Sequence, residues 1–168
     1  MTLETIKELH YIAPIANLDS IFNKGILSHN EATPHKKADI SMDGVQEIRA
    51  KKIIPAEAMG EARTIHDCTN VYFNAKNPML STRRKENTTF CVLRLKPELL
   101  KEPNAVIADR NAAVKEARFT KVAEGINTLA TNILFGQFWT SNRNSDDVNK
   151  KNGQLRCAEL LLPRTIHQ

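Results

Sequence analysis

The segment that most constrains this chain is LRCAELLLP, residues 155–163, an apolar run that carries a single carboxylate, Glu159. On a strand, Cys157, Glu159 and Leu161 share one face, and Ala158, Leu160 and Leu162 share the other. Two outcomes are open for such a carboxylate. It faces water from an edge strand, paired with Arg156 or Arg164, or it is buried and held by a partner, because an unpaired buried charge is costly. Pro163 closes the segment.

The rest of the chain alternates short strands with short helices. Leu9 to Ile15 reads as a strand. Asn17 to Lys24 reads as an amphipathic helix, with Leu18, Ile21 and Phe22 at helical spacing and Gly25 as its stop. Residues 28–41 read as a loop, and DGVQEIRAKKII resumes helical spacing. Asn70–Asn74 reads as a strand, as does TTFCVLRLK, rich in β-branched and aromatic residues, and Ala105–Asp109 and Arg118–Val122 read as two further strands. Pro78 to Leu80 suggests a tight turn or one helical turn, and Gly125 to Gly136 a helix. Residues 140–153, TSNRNSDDVNKKNG, are a polar run without periodicity and read as a surface loop. Without regular βαβ alternation, the order suggests a single α+β domain.

With 168 residues the chain can bury a core without staples. The net charge of +5 favours an acidic partner such as nucleic acid, though many enzymes are equally basic. Cys68, Cys91 and Cys157 form no CxxC pair, which fits a reducing cytoplasm rather than a disulfide framework. The N-terminus lacks the apolar core of a signal peptide. No apolar stretch approaches the roughly 20 residues of a membrane span. His29, His35, His66 and the cysteines show no zinc spacing, so no metal is expected. No glycine-rich phosphate loop is present.

Several residues are candidates for chemistry besides Glu159. Arg49 lies at the edge of the stripe formed by Val45 and Ile48, where an exposed arginine is the plain alternative. Tyr72 and Phe73 are adjacent on a strand and face opposite ways, so one can stack on a flat ring. The same geometry holds for His10 and Tyr11. In the polar run, Arg143, Lys150 and Lys151 can meet phosphates, and Trp139 can stack on a base.

Five blocks, in order over residues 8–165, resemble the DarT family of DNA ADP-ribosyltransferase toxins. LHYIAPIANLDSIFNKGILSHN is similar to its opening strand and helix. VQEIRAKKIIP is similar to its arginine-bearing helix, and TIHDCTNVYFNAKNPML to its "HDYVPFYFxxxxPML" block. IADRNAA resembles its later strand and turn, and RCAELLLP its terminal "RQAEFLVP" strand.

The resemblance implies an ADP-ribosyltransferase fold, with two small, mainly antiparallel sheets around an NAD cleft and helices at the periphery. It implies Glu159 and Arg49 as catalytic residues. It implies His10, Tyr11, Ile12, Asn17, Arg49, Tyr72 and Phe73 around NAD. The polar loop would present the target, with Trp139, Arg143, Lys150, Lys151 and Arg156 on the nucleic acid. The family's histidine stands at the position of Tyr11, with His10 one residue earlier. A one-residue slip reverses the face of a strand. Either the strand has a bulge or Tyr11 takes the histidine's place. Further departures are Ala13 for a threonine and Asp67-Cys68-Thr69-Asn70 for "DYVP".

The activity so implied is transfer of ADP-ribose from NAD to a base of single-stranded DNA by a cytoplasmic toxin, with a macrodomain antitoxin as partner. RNA, protein or water as acceptor stays open. So does a non-catalytic nucleic-acid-binding module, supported by basic clusters at Arg49–Lys52, Arg83–Lys85 and Lys150–Lys151.

Overall fold

The computed structural model describes residues 3–167. Strand β1 (Leu9–Pro14) leads into helix α1 (Leu18–Lys24) and the short helix α2 (His29–Ala32). Helix α3 (Asp43–Lys51) is followed by β2 (Ile53–Ile54), α4 (Ala56–Met59), β3 (Arg63–Thr64) and β4 (Thr69–Tyr72). Then come α5 (Pro78–Thr82), β5 (Phe90–Leu95), β6 (Val106–Ala108) and β7 (Phe119–Lys121). Helices α6 (Val122–Gly125), α7 (Thr131–Leu134) and α8 (Asp146–Arg156) precede the last strand, β8 (Glu159–Leu162).

The strands form two antiparallel sheets of unequal size. The larger has the order β5-β1-β4-β8-β6-β7, and β2 pairs with β3 in the smaller. This is the expected α+β class. Strand β8 is therefore interior, between β4 and β6, and all four of its residues are buried. An edge position for Glu159 is ruled out. Both faces of β8 are covered, which is why its sequence is apolar almost throughout.

Alternation along β8 divides the core in two. Ala158, Leu160 and Leu162 join Leu9, Val71, Phe73 and Ile107 in one cluster, closed by Ile126, Leu129 and Leu134. Leu161 joins Val106, Ala108 and Cys68 in the other, under Ile54, Met59 and Ile65. Glu159 shares the parity of Leu161 and so faces the side covered by α3 and the small sheet. Gly25 ends α1 with φ +86°, and a Cβ there would lie 2.4 Å from the Ile166 carbonyl oxygen. The close approach lets Ile26 and Ile166 exchange backbone hydrogen bonds of 2.8 and 3.0 Å. These fasten the C-terminal segment beside α1.

Four expectations are corrected. The polar run is not all loop, because α8 occupies Asp146–Arg156. Its start is fixed by capping rather than by an apolar stripe: the Ser145 side chain accepts the Val148 N–H, and Asp146 and Asp147 sit in the first turn. Strand β8 consequently begins at Glu159 and not at Leu155. Of the expected helix over 125–136 only the short α7 forms, because α6 already ends at Gly125 and the exposed polar Asn127 and Thr128 follow it. The loop over 28–41 contains α2, held by a capping box between Ser28 and Glu31.

Candidate active site

In register across the sheet, Glu159 stands opposite Tyr72 of β4 and Ala108 of β6. Its carboxylate has no exposed surface. Arg49 reaches it from the last turn of α3, donating from Nη1 to Oε1 at 3.0 Å and from Nη2 to Oε2 at 2.9 Å. This two-point geometry suits a guanidinium to a carboxylate. A third donor is the Ala112 backbone N–H, 3.1 Å from Oε1. The exposed-arginine reading of α3 is overturned: Arg49 is 7% exposed, whereas Ile48 is 51% exposed. The helix turns its cation inward because the carboxylate beneath it demands a partner.

Burial alone would lower the pKa of Arg49, but the Glu159 charge outweighs it and the net direction is upward. The guanidinium is fully protonated here and is no proton acceptor while this pair stands. Burial, reinforced by the Glu159 charge, raises the Tyr72 phenol well above its ordinary value. Tyr72 is accordingly neutral.

A cavity of about 310 Å³ opens over Arg49, which lines it, while Glu159 lies behind the guanidinium and does not reach the lining. Tyr11, Ile12 and Tyr72 line its sheet side. Val45, Gln46 and Arg49 of α3 and the segment 39–42 form a second wall, with Met79, Thr82 and Arg83 at a third. Asn111 and Cys157 also line it. His29 and His66 stack against each other at its edge, with ring centroids 3.9 Å apart. The His66 Nε2 lies 2.7 Å from Gln46 Oε1. Burial pushes the pKa of His66 down to about 4, with His29 and Arg49 adding to the effect, and lowers that of His29 as well. Both rings are neutral at pH 7. Burial also pushes the Cys68 and Cys157 thiols up to about 12, so neither is a ready nucleophile.

Asn17 acts on this cavity through the backbone. Its Oδ1 accepts the N–H groups of Lys37 and Ala38 at 2.7 and 3.0 Å, and its Nδ2 donates to the Ala38 carbonyl at 2.8 Å. That pins the segment leading to the 39–42 wall. Asp39, in that wall, accepts from Ser41 N and Oγ at 2.8 and 2.5 Å and from Lys36. Burial would raise its pKa, but these bonds hold it at about 2.

The same geometry separates His10 from Tyr11. Tyr11 and Ile12 line the cavity and His10 does not. His10 lies against a separate depression, with its Nε2 3.1 Å from Glu8. Phe73 is 1% exposed and belongs to the core, so of the Tyr72–Phe73 pair only Tyr72 meets the cavity.

Of the residues expected at nucleic acid, Arg143, Lys150 and Lys151 are exposed. They lie in or just before α8, which packs on α5 beside the cavity's Pro78–Thr82 rim, where a Cβ on Gly153 would be 3.4 Å from Pro78. Arg156 is a correction. It is 1% exposed, and its guanidinium donates to the carbonyls of Lys76, Ile133 and Gly136 at 2.6–2.7 Å. Its guanidinium carbon also lies 5.4 Å from the ring centre of the half-buried Trp139. Asn111, Asp39, Gln46 and the stacked histidines escaped the sequence reading, because nothing local marks them. Only the IADRNAA block pointed near Asn111. Among the described residues no group of three or more His, Cys, Asp or Glu is placed to hold a metal.

The architecture matches solved structures. Thermus sp. 2.9 DarT in complex with ADP-ribosylated ssDNA superposes with a TM-score of 0.78 at 20% identity, covering 96% of this chain and 77% of that one. Thermosipho africanus DarTG in complex with ADP-ribose gives 0.76 at 24% identity, over 95% of this chain and 41% of that one. A DNA ADP-ribosyl transferase–DNA ADP-ribosyl glycohydrolase fusion protein of Thermosipho africanus is 28% identical over 164 residues. That alignment takes in 95% of this chain, which spans only 40% of the relative's length. Residues 10–167 match the family described as DarT, ssDNA thymidine ADP-ribosyltransferase, and the chain belongs to that family.

Proposed function

We propose that this protein transfers ADP-ribose from NAD to a base of single-stranded DNA, with thymidine as the preferred acceptor. The observation that carries the reading is the buried Arg49–Glu159 pair, whose arginine lines the cavity, in a chain of the DarT family. The bond broken joins nicotinamide to the ribose C1, and its cleavage builds oxocarbenium character on the sugar. A fixed carboxylate stabilises that positive charge. Glu159 supplies it, held in place by the Ala112 N–H and by Arg49. In the resting state Arg49 covers this carboxylate. The diphosphate of NAD offers the guanidinium a competing anion, and partial transfer of Arg49 to it frees Glu159 for the ribose hydroxyl. The base nitrogen then forms the new bond to C1, nicotinamide leaves with the bonding electrons, and the base releases its proton. Tyr11 and Tyr72 supply flat surfaces for the rings.

The exposed Arg143, Lys150 and Lys151, beside the rim, serve the phosphates of the DNA strand. The fusion relative joins a transferase to a glycohydrolase. A macrodomain glycohydrolase that removes the modification is accordingly the partner of this chain, and the pair works in the cytoplasm as toxin and antitoxin. No helix among the described residues is long and apolar enough to cross a membrane.

Incubating the protein with NAD and single-stranded oligonucleotides, followed by mass spectrometry, tests the reading. The expected product is an oligonucleotide carrying one ADP-ribose, with nicotinamide released. Labelled RNA or protein would move the acceptor, and free ADP-ribose alone would make the protein a hydrolase. Salt-dependent DNA binding with NAD intact would leave only a binding module.

A further inference from the structure

We infer that Asn111 is a specificity-determining residue that donates a hydrogen bond to a ring-borne carbonyl oxygen of the substrate. The inference rests on the function proposed above and deepens it. Asn111 follows β6 in the turn that also carries Ala112, the residue whose N–H holds Glu159. It lines the cavity and is half-buried.

The orientation of its amide is fixed by its own turn. Its side-chain oxygen accepts the Ala113 N–H at 3.0 Å. A backbone N–H can bond only to the oxygen of the amide, so the NH₂ end is the one left for other partners, with two donors. The backbone on either side is locked. The Asn111 N–H donates to the Gln154 carbonyl at 2.9 Å, and the Asn111 carbonyl accepts the Val114 N–H at 3.1 Å. Asp109, 5% exposed, holds the other strand of the loop by accepting the Arg118 N–H at 3.0 Å, and Lys52 donates to the Val114 carbonyl. The amide is thus a preorganised donor rather than a mobile surface group, one residue from the group that fixes the catalytic carboxylate.

A neutral donor in such a place selects for an acceptor without demanding a charge. The shared chemistry is an amide-type carbonyl on a planar ring. Two sources carry it in this reaction: the carboxamide of the nicotinamide ring, and the keto oxygens that flank the ring nitrogen of a thymine. An oxygen that accepts here orients its ring within the cavity that Arg49 also lines. A substrate bearing an amino group in its place would meet donor against donor and be rejected.

Asn111→Asp is the direct test, since a carboxylate still accepts the Ala113 N–H but cannot donate. Asn111→Ser is its uncharged counterpart, with a hydroxyl able to accept in the same turn. Initial rates are measured against NAD and against oligothymidine separately, alongside equilibrium affinities for each, which need no turnover. Both variants are expected to raise KM and Kd for one substrate by roughly tenfold, the scale of one lost hydrogen bond, while leaving the other within about twofold. An effect on NAD assigns the nicotinamide carboxamide, and an effect on the oligonucleotide assigns the base. The thio-analogue of that substrate should be discriminated against by the wild type and tolerated by Asn111→Ser. KM and Kd unchanged for both substrates in both variants would overturn the inference. A change in kcat alone would overturn it too, since it marks a merely structural turn. Failure of the wild-type protein to modify any oligonucleotide would count instead against the function proposed.

Discussion

Arg49 and Glu159 lie 110 residues apart in sequence, yet their side chains close a two-point pair of 3.0 and 2.9 Å at the centre of the larger sheet. The pair joins the end of a nine-residue helix to an interior strand, so it braces the fold as well as supplying the chemistry. The two roles can be separated by measurement.

Glu159→Ala should reduce the transfer rate by at least roughly 10²-fold, the scale of one preorganised electrostatic group. It should also leave Arg49 as a buried, unpaired cation and destabilise the protein by about 3–5 kcal/mol. The double variant Arg49→Met/Glu159→Leu should be inactive yet more stable than either single charge removal. Denaturant melts of all three variants check this, and a double variant no more stable than Glu159→Ala would contradict it.

Tyr11→Ala should weaken NAD binding by roughly tenfold, because it removes a ring from the cavity wall. His10→Ala should leave NAD affinity within about twofold, since His10 sits against a separate depression. Titration calorimetry with NAD compares them.

Asn17→Ala should also weaken NAD binding while leaving DNA affinity little changed. Its three bonds to the 37–38 backbone hold the wall carrying Asp39 in place. Faster proteolysis within residues 36–42 would accompany the loss.

Arg156→Ala should lower the melting temperature and retain the salt slope of DNA binding, the opposite of a phosphate-contacting arginine. Three carbonyls lose their donor at once. Lys150→Ala with Lys151→Ala should instead leave stability unchanged and flatten the salt slope by roughly two charges.

Stability should fall as pH drops from about 6.5 towards 4. The pKa of His66 in the folded state is about 4, below its ordinary 6.5, so the unfolded chain binds more protons across that window. The stabilising contribution is complete above 6.5 and lost on approach to 4. His66→Asn should reduce this slope, as read by denaturant melts at a series of pH values. Asp39, held at about 2 against an ordinary 3.8, adds a second loss below pH 3.8.

The amino-acid sequence by itself determined the class of fold, most strand positions, the catalytic candidates and, through five ordered blocks, the family. Strands such as β5 and β6 are legible because an alternating pattern or a short, bounded apolar run is a local signal. Helix α8 was not legible from its apolar pattern, because a helix with one largely wet face has little such pattern, although its cap Ser145 with Asp146 and Asp147 was there to be read. Tertiary structure alone decided which side of each ambiguous pair meets the cavity: Tyr11 and not His10, Tyr72 and not Phe73. It also decided that Arg49 turns inward while Ile48 stays wet, and that Arg156 clamps carbonyls instead of phosphates. Those choices depend on what stands across the sheet from a residue. A buried carboxylate at Glu159 selects its cation from a distant helix by charge and reach, and no local pattern around Arg49 encodes that partner.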